Sequence, residues 1–163
     1  MKLRKAVPED LPEVSLLIKS ATQHMIENGI QQWNEFYPDQ EILERDIENG
    51  SMYLYIRGNQ IVSIFVVNQE CDSEYANGNW RYPLATFAVV HRLCVNPAFQ
   101  HQGIGAQTML AAESIIKDMK FESVRLDAYS QNPIALKLYE KLGYTKVGTV
   151  TFYKVCYLFE KLL

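Results

Sequence analysis

Between a β-rich run, Thr86 to Val95, and a helical run with Met109, Leu110, Ala112, Ile115, Ile116 and Met119 on one side lies the segment Gln100-His101-Gln102-Gly103-Ile104-Gly105. A strand that enters a helix through two closely spaced glycines is tightly constrained. Glycine lets the chain turn without a Cβ and lets another molecule approach the main chain. The helix start leaves unpaired N–H groups, and the macrodipole adds roughly half a positive charge at the same end. That combination suits a phosphate or diphosphate, even with little basic side-chain charge nearby. The same glycines would also serve a plain strand–helix turn, by geometry alone.

Two other phosphate motifs can be weighed against this segment. A P-loop needs Gly-Lys followed by Ser or Thr, whereas Gly105 is followed by Ala106 and Gln107. A dinucleotide fingerprint comes closer, because Gly103-x-Gly105 follows a strand and Asp127 lies near the end of the next, where a ribose-binding acid would sit. Its third small residue is missing, since position 108 is Thr. That fingerprint also belongs to the first βα unit of a parallel sheet, and several elements precede it here.

Leu3 to Val7 predicts a short strand, and Pro8, Glu9 and Asp10 supply helix-start chemistry. Leu11, Val14, Leu17, Ile18, Ala21 and Met25 then recur at three- and four-residue steps until Asn28-Gly29 ends the apolar face. Ile30 to Asp39 is an aromatic loop, and Gln40 to Ile47 a second short helix. From Ser51 the period switches to two, across a Gly58-Asn59 turn of the kind that joins hairpin strands. Cys71 to Pro83 is polar and acidic and is expected to form a loop. After the glycine turn and its helix, Ser123 to Ala128 alternates as a strand. Asn132-Pro133 opens a helix through Leu142, with Gly143 at its C-cap. Tyr144 to Leu162 predicts two strands with a break at Gly148-Thr149. Antiparallel hairpins mixed with a βαβ unit from Val89 to Ala128 make this an α+β chain.

At 163 residues and 18.8 kDa the chain suits one domain spanning residues 1–163. No apolar stretch reaches the roughly 18 residues of a membrane span, and the N-terminus lacks the apolar run of a secretory signal, so a cytoplasmic protein is expected. Cys71, Cys94 and Cys156 are an odd count without metal-ligand spacing, which points to reduced thiols and no metal. A pI near 5.6 and the absence of a Lys/Arg run argue against nucleic acid as a partner. A cationic acceptor suits this balance better.

The glycine segment resembles the acetyl-CoA loop of the GCN5-related N-acetyltransferase (GNAT) superfamily, Gln/Arg-x-x-Gly-x-Gly/Ala. The likeness extends to Leu93-Cys94-Val95-Asn96-Pro97 before it, and to Asn132-Pro133-Ile134-Ala135 leading into Leu138-Tyr139-Glu140-Lys141-Leu142-Gly143-Tyr144. With the element order it covers the chain from Leu3 to Leu162. The resemblance implies a mostly antiparallel mixed sheet flanked by helices, with one parallel strand pair splayed apart. It implies an acetyl-CoA-dependent N-acetyltransferase acting on a primary amine of a small molecule or peptide. Pantetheine would lie along Leu93, Cys94 and Val95, bonded to the main chain of Leu93 and Val95. The turn Gln100, His101, Gln102, Gly103, Ile104, Gly105 and Ala106 would hold the pyrophosphate. Asn132 would contact the cofactor, and Tyr139 would aim its hydroxyl at the thioester sulfur. Asn132 and Tyr139 lie about two helical turns apart and so share a face.

Such chemistry sets two proton requirements. A tyrosine near pKa ~10 is a weaker acid than a thiol near ~8.5, so full donation runs uphill by roughly 2 kcal/mol and Tyr139 is better suited to hydrogen-bonding a thiolate. A lysine-like acceptor with pKa ~10.4 exposes its lone pair at pH 7 at a cost of about 4.6 kcal/mol. His91 is the candidate base, because its ordinary pKa near ~6.5 suits proton uptake and residues 91, 93 and 95 share a face if no bulge intervenes. A structural histidine is the other reading, and water leading to Glu70, Glu74 or Asp127 would serve as well. A cysteine nucleophile is the weaker route, since alternation sets Cys94 opposite His91.

For the acceptor, Trp33, Tyr37, Asp127 and Tyr129 are candidate contacts, with Trp80 and Tyr82 in a second variable segment. Aromatic rings attract a cation by ~0.5–2 kcal/mol, although loop packing explains each equally well. Asp127 could instead pair with Arg125 or Arg92. The aromatic C-terminal strands could pair two subunits. A non-catalytic CoA-sensing module is the alternative from a different functional class.

Overall fold

The computed structural model describes all 163 residues, Met1–Leu163. Seven strands form one mixed sheet in the order β1-β2-β3-β4-β5-β7-β6. These are β1 (Lys2–Lys5), β2 (Met52–Arg57), β3 (Gln60–Asn68), β4 (Phe87–Val95), β5 (Ser123–Tyr129), β6 (Thr145–Thr151) and β7 (Val155–Leu162). The helices are α1 (Leu11–Glu27), α2 (Gln40–Glu48), α3 (Ile104–Asp118) and α4 (Pro133–Lys141). The chain divides into two compact units, Met1–Val66 with Arg92–Ala111, and Val67–His91 with Ala112–Leu163.

In the first unit β1 pairs antiparallel with β2, and β2 with β3 through the two-residue Gly58-Asn59 turn, where Gly58 takes φ 60°. The three- and four-residue period of α1 buries Val14, Leu17, Ile18 and Ala21. Asp39 caps α2 by accepting from the Ile42 N–H at 2.9 Å. Both helices pack with Leu54, Ile64, Val66, Cys94 and Trp33 into one apolar cluster.

In the second unit β4 and β5 run parallel from Phe87↔Ser123 to Val89↔Arg125, and the ladder stops there although both strands continue. β5 pairs antiparallel with β7, and β7 with β6. The expected break at Gly148-Thr149 is corrected: β6 runs through it and the hairpin turns after Thr151. Gly148 instead follows a register shift at Val147, whose carbonyl accepts from the Asn79 N–H at 2.7 Å. A Cβ on Gly148 would stand 3.4 Å from Gly78 Cα, at contact distance from the overlying 71–83 segment. That segment is firmly held. Tyr75 is buried within its short 3-10 turn, Ser73–Asn77, and Glu160 accepts from the Arg81 N–H at 2.8 Å and the Tyr82 N–H at 3.3 Å.

Candidate active site

In the first unit β4 leads into a 3-10 turn, Pro97–Phe99, capped by Asn96, whose side chain accepts from the Ala98 N–H at 3.0 Å. Two of the next residues have left-handed backbone, His101 at φ 61° and Gly103 at φ 74°. Gly103 serves its conformation rather than a need for space, since a Cβ there would meet nothing closer than Gln107 Nε2 at 4.0 Å. The Gln107 N–H bonds back to the Gly103 carbonyl at 3.1 Å. The N–H groups of Ile104, Gly105 and Ala106 therefore precede the helical ladder, where an anion can take them.

Thr108, the residue that spoils the dinucleotide fingerprint, anchors this helix start. Its buried hydroxyl donates to the Ile104 carbonyl at 2.7 Å and receives the Ser63 hydroxyl at 2.7 Å. Basic charge is closer to the turn than expected. Arg57, the last residue of β2, puts Nη1 3.1 Å from Gln102 Oε1 and its guanidinium 5.5 Å from the Phe99 ring centre. A hairpin brings Arg57 there, so nothing in the local sequence marks it.

Leu93 and Val95 are half-buried and Cys94 is buried. Burial pushes the Cys94 thiol up to about 12, so it is protonated at neutral pH and poor as a nucleophile. Arg92 takes φ 50°, which interrupts the two-residue period of β4. The condition for His91 to share a face with Leu93 and Val95 by simple alternation therefore fails, as does the alternation argument against Cys94. Arg92 donates to Asp46 from Nε at 2.6 Å and Nη2 at 2.7 Å, and to the Tyr37 hydroxyl from Nη1 at 3.2 Å. Tyr37 is 43% exposed, whereas Trp33 is in the apolar core with α1 and α2.

In the second unit His91 Nε2 lies 2.8 Å from Asn68 Oδ1. The same oxygen accepts the Glu70 main-chain N–H at 2.9 Å, which identifies it as the amide oxygen. Nε2 of His91 is therefore the donor to this oxygen. Asn132 caps α4 by accepting from the Ala135 N–H at 3.1 Å. Tyr139, on α4, is buried with its ring 5.8 Å from those of Tyr144 and Phe159. Burial first, then the Asp127 charge, pushes its hydroxyl well above the usual tyrosine value.

Neither arginine proposed for Asp127 pairs with it. Arg92 is held by Asp46, and Arg125 lies between the rings of Trp80 and Phe87. Asp127 accepts instead from the Tyr75 hydroxyl at 2.7 Å, a partner 52 residues away that the sequence did not mark. Tyr129 has Lys154 Nζ 5.2 Å from its ring centre.

A family model described as "Acetyltransferase (GNAT) family" matches residues 19–144. The uncharacterized N-acetyltransferase YesJ of Bacillus subtilis (strain 168) is 26% identical over 146 residues, covering 88% of this chain and 81% of that protein. Among solved structures, a GNAT-family acetyltransferase from Streptococcus agalactiae 2603 superposes with a TM-score of 0.89 at 23% identity, covering 99% and 95% of the two chains. The PaiA N-acetyltransferase of Thermoplasma acidophilum, solved in complex with coenzyme A, gives 0.76 at 19% identity, covering 99% and 98%. The glycine turn, the mixed sheet with its parallel β4–β5 pair and the length of the family match agree: this chain belongs to the GNAT family of acetyltransferases and is an acyltransferase.

Proposed function

We propose that residues 1–163 work as one acetyl-CoA-dependent N-acetyltransferase domain in the cytoplasm, passing acetyl directly to a primary amine of a small molecule or peptide. No helix is long and apolar enough to cross a membrane. The observation that carries this reading is the left-handed Gly103 ahead of three N–H groups outside the α3 ladder. Those donors, with Arg57 beside Gln102, fit a diphosphate without any metal.

Acetyl-CoA, when bound, supplies an acetyl group as a thioester open to attack by an amine. The Gln100–Ala106 turn holds its diphosphate, the Leu93-Cys94-Val95 main chain its pantetheine arm, and Asn132 contributes a polar contact. Tyr139 remains a neutral phenol across the physiological range, because burial and Asp127 both disfavour its anion. It serves as a hydrogen-bond donor to the departing sulfur rather than as a full proton source. His91 serves as the base for the amine's proton, its ring held at Nε2 by Asn68. Tyr37 and Tyr129 offer an acceptor aromatic rings and Asp127 a negative charge, whereas Trp33 lies in the apolar core of the first unit.

Incubation with acetyl-CoA and spermidine, free lysine or a peptide with an unblocked N-terminus, followed by coenzyme A release, tests this function. Release above hydrolysis with at least one amine is expected. Tight coenzyme A binding with no amine-dependent release would point to a sensor instead.

A further inference from the structure

An open cleft of about 410 Å3 lies against the 71–83 segment of the second unit, within the size range of small-molecule sites. Tyr75, Trp80 and Pro83 give it an apolar wall, Cys71 and Asp72 stand at exposed positions on it, and Arg125 of β5 lines it too. Arg125 is only 7% exposed, and its Nε is buried without a hydrogen-bond partner. Its guanidinium carbon stands 4.0 Å from the Trp80 ring centre and 3.9 Å from that of Phe87. The rings cover the faces of the guanidinium and leave its donors, which lie in its plane, without an acceptor.

The chain's own carboxylates do not supply that acceptor. Glu160 sits opposite Arg125 in the β5–β7 register, but its two oxygens accept from the Arg81 and Tyr82 N–H groups. The Tyr75 hydroxyl is spent on Asp127. Burial pulls the Arg125 pKa below its usual value, more than the nearby Glu160 charge, which makes no hydrogen bond to it, restores.

We propose that this cleft binds a small organic carboxylate, its planar apolar body against Tyr75 and Trp80 and its carboxylate on the Arg125 donors. A carboxylate matches the guanidinium fork in shape. A single negative charge suits the cleft better than a phosphate dianion, because Asp72 opposes a second one. The site uses none of the residues assigned to acetyl-CoA and shares only Trp80 with those weighed for the acceptor, and it stands whether or not the chain transfers acetyl groups.

Cys71 gives a direct readout, since it is exposed while Cys94 and Cys156 are buried. Alkylation of Cys71 by neutral iodoacetamide is followed by mass spectrometry without acetyl-CoA, in the presence of benzoate, hippurate or indole-3-acetate, with benzamide as the uncharged control. At least one carboxylate should slow Cys71 alkylation severalfold and saturably, and benzamide should not. Arg125→Met should abolish the protection and Arg125→Lys should weaken it. Equal protection by benzoate and benzamide, protection that survives Arg125→Met, or no saturable protection by any of the three acids at millimolar concentration would overturn the proposal. The benzoate–benzamide contrast on the unmodified protein decides the matter even if Arg125→Met does not fold.

Discussion

Arg92 and Asp46 form a two-pronged ion pair, Nε to Oδ2 at 2.6 Å and Nη2 to Oδ1 at 2.7 Å, that ties a left-handed residue of β4 to α2. Their side chains are only 12% and 8% exposed, so each charge depends on the other. Asp46→Ala leaves a largely buried guanidinium uncompensated and should cost about 3 kcal/mol. The double change Asp46→Leu with Arg92→Met removes both charges and should recover most of that loss. Urea unfolding of the three proteins checks this, and a single-variant loss below ~0.5 kcal/mol would show the pair to be idle.

Gly103 can be separated from an ordinary left-handed glycine by comparison with Gly29. Both have nearly the same φ, 74° and 75°, and neither has a neighbour closer than 4.0 Å to a built Cβ. Alanine at either position should therefore cost about 1–2 kcal/mol through backbone strain alone. Only Gly103→Ala should weaken coenzyme A, because only Gly103 shapes the N–H groups that open α3. Calorimetric titration of both variants decides it, and equal affinities would remove the turn from the binding site.

Tyr139→Phe retains the ring packing against Tyr144 and Phe159, so stability should change by less than ~1 kcal/mol. Loss of the hydroxyl should lower kcat by about 10²-fold with little change in KM for acetyl-CoA, as for other donors to a developing negative charge. The direction of its pKa adds a second check. The hydroxyl is pushed above the usual value near ~10, so its ionisation should produce no alkaline limb in the rate profile below that pH. An alkaline limb below pH ~10 that vanishes in Tyr139→Phe would contradict the buried, neutral phenol.

Features set by local chemistry were readable along the chain: the glycine turn, the α1 period and the Gly58-Asn59 hairpin all rest on residues a few positions apart. Features set by pairing across the fold were not. Asp127 was matched to arginines because carboxylates ordinarily meet them, yet a phenol 52 residues distant holds it. Arg57 reaches Gln102 across 45 residues, again without a local signal. Arg92 carries no composition cue for its left-handed backbone, since glycine or asparagine would be the usual choice there. Gly148 shows the opposite: a glycine that reads as a break lies within β6, beside a register shift.

The start of α1 offers a pH test whose sign is determined. Asp10 accepts from Arg4 at 2.7 and 2.8 Å and from the Val7 N–H at 2.8 Å. The Arg4 hydrogen bond, chiefly, holds its carboxyl below the usual range despite partial burial. A depressed carboxyl contributes stability that is fully present above its unfolded pKa near ~3.9 and is lost as pH falls through the lower folded value. Arg4 is about one-third exposed, so solvent screening limits the pair to about 0.5–1 kcal/mol. Asp10→Asn should therefore be less stable than the parent by that amount at pH 7, and the gap should close as pH drops below ~4. Urea unfolding at neutral and acid pH measures it directly. A gap that persists undiminished in acid would mean that the loss comes from packing at the helix start and not from the charge on Asp10.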